Sequence, residues 1–437
     1  MTRLLARLRA LGGTTPGRYR LWSAAVALGL VAVAVVGTVA ATALQSATND
    51  IRNNSGPVLV ATQALVASLA EADAAASAAF LSGRQEDPEQ RRLYEEALAR
   101  ASAQVEDVSS LIGDDEEAHR SLKNVAAQIT RYAGLAEAAL VTNREGVTAS
   151  ERFLVQASDL LGSVVDNEVG TLTVATEDRF ERDEERRGFW VYIAASVAVL
   201  ALGALVLAQR TVTRLSRRLL NIPMVLATVA LLVATVWLLA AAFTSTNDLD
   251  DARRFGFESI SITSRIQSAG FRAKAAETVA VIANDTAGRS RADEAAGDLL
   301  SGPVSQPEID AVRRGAALGQ SGLLAEAAAR ADSARERAAA AEMLVRWQRY
   351  TSTVGQLRAA PAGDARRTIA VGPASSTFNG FNFSVESVLS DNRDQFLRGL
   401  QDASDRVRWL PAITALVPLV ALVAALFGFQ LRINEYR

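Results

Sequence analysis

The chain has 437 residues, of which 49% are hydrophobic and 22% charged, and a formal net charge of −2. It has no cysteine, which excludes disulfides, thiolate chemistry and a Cys-ligated zinc site; its one histidine, His119, excludes the His clusters of metal sites and the usual base of a hydrolytic triad. Arginine outnumbers lysine 44 to 2, a bias in keeping with a GC-rich genome, and no nucleic-acid partner is expected.

In chain order, residues 1–20 are basic, with Arg3, Arg7, Arg9, Arg18 and Arg20 and no acid. Four uncharged apolar runs follow at 21–43, 188–208, 221–243 and 409–429, each 21 to 23 residues long and therefore able to cross the roughly 30 Å hydrocarbon layer as a helix. They enclose a 144-residue segment (44–187), a 12-residue loop (209–220) and a 165-residue segment (244–408), and leave a short tail, 430–437. The loop carries Arg210, Arg214, Arg217 and Arg218 without an acid, and the tail has Arg432, Glu435 and Arg437. Short Arg-rich loops stay in the cytoplasm, so both termini are expected inside and both long segments outside, in a multi-pass protein of the plasma membrane. The first run lacks a nearby small-residue cleavage site and reads as a retained anchor.

The outer segments read as helical bundles in an all-α protein. In 44–187 a heptad seam of Val58, Thr62, Leu65, Leu69, Ala72, Ala76 and Ala79 marks a first helix, with a kink expected at Ser55-Gly56-Pro57. A second starts at Asp87-Pro88-Glu89, where Asp caps and Pro takes the first helical position, and ends at Gly113. A third runs from about Glu116 through Leu122, Val125, Ile129, Tyr132 and Ala136, and a fourth from Thr148 through Ala157 and Val164 toward the second run. Short connections favour an up-down-up-down four-helix bundle. The many seam alanines suggest a bundle that slides or rotates at modest cost, or else reflect genome bias.

The second half repeats the first. Thr48-Asn49-Asp50-Ile51 matches Thr246-Asn247-Asp248-Leu249 at a shift of 198; Phe80-Leu81-Ser82-Gly83 matches Leu299-Leu300-Ser301-Gly302, and Pro88-Glu89 matches Pro307-Glu308, at 219; Arg131-Tyr132 matches Arg349-Tyr350 at 218. Near-constant spacing argues for internal duplication, with 21 extra residues around Asn284 to Gly288 and a longer or broken first hairpin. The segments differ in charge: 44–187 has 26 acids and 14 bases, 244–408 has 21 of each. The first should favour basic partner surfaces, or simply be a solvated acidic face.

Two sets of residues stand out as contact sites. Phe378, Phe381 and Phe383 lie in the Gly-, Ser- and Asn-rich stretch 372–383, read as a membrane-distal loop whose exposed rings dock an outer partner; packing onto the bundle end is the alternative. Arg210, Arg214, Arg217 and Arg218 form the expected cytoplasmic output site, with topology signal and lipid anchor as the alternative role. Trp347 and Tyr350 fit a helical seam and are expected in the core. No phosphate-binding loop, nucleophile elbow or His-Glu-x-x-His motif occurs, so neither an enzyme nor a cofactor is expected.

Each half resembles the four-helix ectodomain of bacterial chemoreceptors and sensor kinases. The whole chain, with its doubled span-bundle-span plan, short Arg-rich loops and Leu431-Arg432-Ile433-Asn434-Glu435-Tyr436-Arg437 ending, resembles the actinobacterial GlnX-type four-span membrane sensors. That resemblance implies sensing of extracellular amino acids such as glutamate or aspartate through a solute-binding lipoprotein, and relay to a cytoplasmic serine/threonine kinase, kinase G. The competing class is a nonenzymatic envelope scaffold or auxiliary transport subunit. A homo-oligomer is compatible with either.

Overall fold

The computed structural model describes residues 15–83, 87–113, 115–147, 150–164, 169–216, 222–251, 258–283 and 286–434. Among these residues every regular element is a helix. Helix α1 (Thr15–Asp50) passes through a π-turn (Ile51–Ser55) into α2 (Gly56–Leu81). The π-turn is the form taken by the expected break, because Pro57 has no N–H to give to the preceding turn and the ladder widens there. Helix α3 (Pro88–Leu111) starts where Asp87 accepts from the Glu89 amide at 3.0 Å, and α4 (Glu116–Arg144) where Asp115 accepts from Glu117 and Ala118 at 3.0 and 3.1 Å. Helices α5 (Ser150–Val164) and α6 (Gly170–Ser216) complete the first half.

One apolar core joins these elements: Leu65 and Leu69 of α2, Tyr94 and Ala97 of α3, Ile129 and Tyr132 of α4, and Ala157 and Leu161 of α5. All seven seam residues expected on α2 are buried. Its other face is buried as well, since Ala70 and Ala74 pack into the core of the second half. A helix apolar on all sides needs neighbours on all sides.

The second half begins with α7 (Ile222–Asp251) and α8 (Glu258–Ala283). Helix α9 (Thr286–Leu299) folds back onto α8; Asn284 and Asp285, where the extra residues are expected, lie outside the described residues. Two short helices follow, α10 (Gln306–Arg313) and α11 (Leu323–Arg330), separated by a loop. Then come α12 (Ala334–Ala359), α13 (Asp364–Ile369), a π-turn (Ala370–Ala374), α14 (Ser375–Val407) and α15 (Leu410–Asn434). Ile266, Phe271, Leu299, Leu344, Trp347, Tyr350, Phe378 and Phe381 form its core. Gly270 of α8 allows the Phe381 ring in, because a Cβ there would lie 2.9 Å from that ring.

The chain divides into two compact units. Residues Asn53–Asp178 and Ala252–Leu397 make one, so the two long polar segments share a body rather than forming separate bundles; α2 packed along α8 is their seam. The other unit comprises Met1–Arg52, Arg179–Asp251 and Arg398–Arg437. Within it Leu30 of α1, Leu205 of α6, Leu231 of α7 and Phe429 of α15 meet in one core, and Gly37 lets α1 approach Thr414 of α15 to 3.5 Å from an added Cβ. Gln209 of α6 donates to the Met224 carbonyl at 2.7 Å and to the Thr228 hydroxyl at 2.6 Å, tying α6 to α7.

Among the described residues three helical stretches are long and apolar enough to cross a membrane, Arg20–Leu81, Ile222–Ala241 and Asp364–Leu431, and Ala195–Thr211 is a shorter apolar helix. Large apolar side chains face outward on this unit, including Leu28, Leu200, Leu226, Leu416 and Val423. So much exposed hydrocarbon on helices of this length marks a membrane protein.

Candidate functional site

A cleft of about 880 Å³ opens between the two segments of the unit made of Asn53–Asp178 and Ala252–Leu397. It is lined by Gln63 and Val66 of α2, by Val169 and Gly170 around the start of α6, and by Arg265, Ser268 and Arg272 of α8. Asp298 at the end of α9 and the 317–323 segment leading into α11 close the rest. Arg265, Ser268 and Arg272 fall at three- and four-residue steps, so the helix itself aims them into one groove.

The 317–323 segment is held firmly. The Ser301 amide donates to the Ser321 carbonyl at 2.8 Å, and the Ser321 amide returns a bond to the Ser301 hydroxyl at 3.0 Å. Gly322 has φ +125 and sits so close to the end of α9 that a Cβ would lie 2.6 Å from the Leu299 carbonyl, so only glycine fits. Gln320 donates through Nε2 to the Pro303 carbonyl at 3.0 Å and to Glu308 Oε1 at 3.1 Å. The other end of its amide, Oε1, is buried with no hydrogen-bond partner. Glu308 also accepts from the Ser305 hydroxyl and amide at 2.6 and 2.7 Å, and these bonds lower its carboxyl pKa.

Charges in the cleft are unevenly paired. Glu326 is held by Arg330 at 2.5 Å. Arg265, Arg272 and Asp298 make no hydrogen bond or ion pair with another described residue. The cleft therefore offers two guanidinium donors and one carboxylate to whatever enters.

A second polar locus lies inside the first core. Asp73 of α2, 8% exposed, accepts from the Ser158 hydroxyl at 2.8 Å and the Tyr132 hydroxyl at 3.4 Å. Burial pushes its carboxyl up to about 6 against the opposing pull of those two bonds. In the second half Glu277, equally sheltered, is gripped by Arg358, which also reaches Asp293 at 2.6 Å. Lys274 of α8 sits 4.9 Å from the centre of the Phe378 ring, and burial brings its ammonium down to about 8. Among the described residues no group of three or more His, Asp or Glu side chains converges as a metal-ligand set.

The expected aromatic tip needs correction. Residues 372–383 form no loop: Gly372, Pro373 and Ala374 lie in the π-turn and the rest belong to α14. Phe378 and Phe381 are each 1% exposed, packed against Phe271, Tyr350 and Trp347 with ring centroids 5.1 to 5.3 Å apart, and they serve the core. Phe383, on the opposite side of the helix, is 71% exposed. Trp347 and Tyr350 are buried as expected. His119 is exposed in the first turn of α4, its Nε2 2.7 Å from the Gly113 carbonyl. Of the four loop arginines, Arg210 is exposed near the end of α6 and Arg214 lies on the same helix; Arg217 and Arg218 fall outside the described residues.

The cleft residues were not singled out from sequence. The Arg265–Arg272 spacing and the Gly319-Gln320-Ser321-Gly322 run are visible signals, but only the packing of α2 on α8 brings them to one place.

No curated protein matches the chain. Residues 47–185 match the family model of the actinobacterial sensor domain, and this match, on a protein with apolar helices long enough to span a membrane, supports a sensing role.

Proposed function

We propose that the chain is a nonenzymatic four-span transducer of the GlnX type, with both termini in the cytoplasm and the cleft-bearing unit outside. It would take up the state of an extracellular solute-binding lipoprotein that carries amino acids such as glutamate or aspartate, and relay it to a cytoplasmic serine/threonine kinase. The observation that carries the reading is the sensor-domain match at 47–185, which starts just after the first apolar run and ends just before the second. The Arg-rich connection 209–220 supports the inside placement of its loop and is the proposed output surface.

Reporter fusions at Gly113 and Gly315 should read as outside, and fusions at Ser216 and after Arg437 as inside. Affinity purification from native membranes should then recover an extracellular binding protein and a kinase; recovery of a permease instead would replace the transducer with an auxiliary transport subunit. Exchanging Arg210, Arg214, Arg217 and Arg218 for Lys keeps the charge and removes the planar five-donor fork. Signalling that survives this exchange with normal insertion would leave the cluster as a topology signal alone.

A further inference from the structure

We propose that the cleft between α2, α8 and the 317–323 segment binds a small zwitterion directly, a free amino acid or a peptide of two or three residues. This goes beyond the transducer reading, in which a separate lipoprotein recognises the solute.

Arg265 and Arg272 stand two turns apart on one face of α8, about 10.5 Å along the axis, with Ser268 between them. Neither is neutralised by a described residue. Two free guanidiniums on one wall select a carboxylate, which their planar forks hold bidentately. The same cleft holds one acceptor without a described donor, the exposed Asp298 carboxylate. An ammonium group supplies the donor that Asp298 lacks.

Other ligand classes fit worse. A dianion would satisfy the arginines and leave Asp298 facing negative charge. A divalent cation would find one unpaired carboxylate and two guanidiniums. The volume of about 880 Å³ lies within the usual range for small-molecule sites and admits a tripeptide. Val66, Val169 and Leu318 give the side chains of such a ligand an apolar surface.

The test uses the purified full-length chain in lipid nanodiscs, titrated calorimetrically with the twenty L-amino acids, with tri-alanine and with succinate, which has carboxylates but no ammonium. At least one zwitterion should bind saturably and at least tenfold more tightly than succinate. The R265A/R272A variant should lose tenfold or more, and D298N should narrow the preference over succinate. Arg265 and Arg272 are exposed and unpaired, so unchanged thermal unfolding of the double variant shows that the loss is not one of folding. No binding by any of these probes, equal binding of succinate, or binding indifferent to R265A/R272A would each overturn the proposal. No other protein is present, so the outcome is independent of whether a lipoprotein or kinase is captured.

Discussion

Replacing Asp73 with Asn should make the protein more stable at neutral pH, and by an amount that depends on pH in a defined way. The Asp73 carboxyl is raised from 3.8 to about 6, chiefly by burial. Between those values the folded protein holds a proton that the unfolded chain releases, so stability falls as pH rises through the window and the full cost stands above it. At about 1.4 kcal/mol per unit, the ionised carboxylate costs about 3 kcal/mol at pH 7.5 and about 1 kcal/mol at pH 4.5. Asparagine can still accept from Ser158 and Tyr132, but its amide N–H is a new buried donor that costs about 1–3 kcal/mol if unmet. That cost is the same at both pH values. The difference between variant and parent should therefore grow by about 2 kcal/mol from pH 4.5 to pH 7.5, or roughly 4–8 °C in melting temperature for a body of this size. Thermal unfolding followed by circular dichroism, on the detergent-solubilised chain at both pH values, measures it. Equal shifts at the two pH values would refute the buried, proton-binding carboxylate.

Three further outcomes are expected. F378A and F381A should each cost about 3–5 kcal/mol as core truncations, while F383S should stay within about 0.5 kcal/mol, measured by denaturant unfolding. R358M strands the sheltered Glu277 carboxylate and should cost about 3–5 kcal/mol; E277M/R358M, which removes both charges, should recover most of it. Lys274 holds its ammonium in a setting that lowers its pKa to about 8, so K274M should raise the melting temperature at pH 7, and the gain should shrink as pH rises above 8 and the native amine loses its proton.

What was legible in the sequence is what depends on neighbours along the chain. Asp87-Pro88 and Asp115 start helices because their side chains cap amides two or three residues ahead, and a reader can see both partners at once. The apolar runs are legible for the same reason, since length and lack of charge are properties of one segment. The phenylalanine stretch misleads because Gly, Pro, Ser and Asn are loop formers locally, yet here a π-turn absorbs Pro373 and the helix resumes. Once helical, Phe378 and Phe381 are three residues apart and share a face, while Phe383, five residues beyond Phe378, is carried to the other side. Helical register was the missing piece of information.

The abundance of alanine has a similar resolution. Read along one seam, it suggests a loosely held bundle free to slide. In the structure α2 has a core on each side, and Ala70 and Ala74 are small because α8 lies against them. Small side chains there let two helices approach closely; they do not loosen a bundle. This also places the cleft. The first half contributes Gln63 and Val66 from the helix that packs along α8, whereas Asp298 and Gln320 come from α9 and from the loop between α10 and α11. The cleft is assembled from segments far apart in the chain, so no inspection of either half alone could have found it.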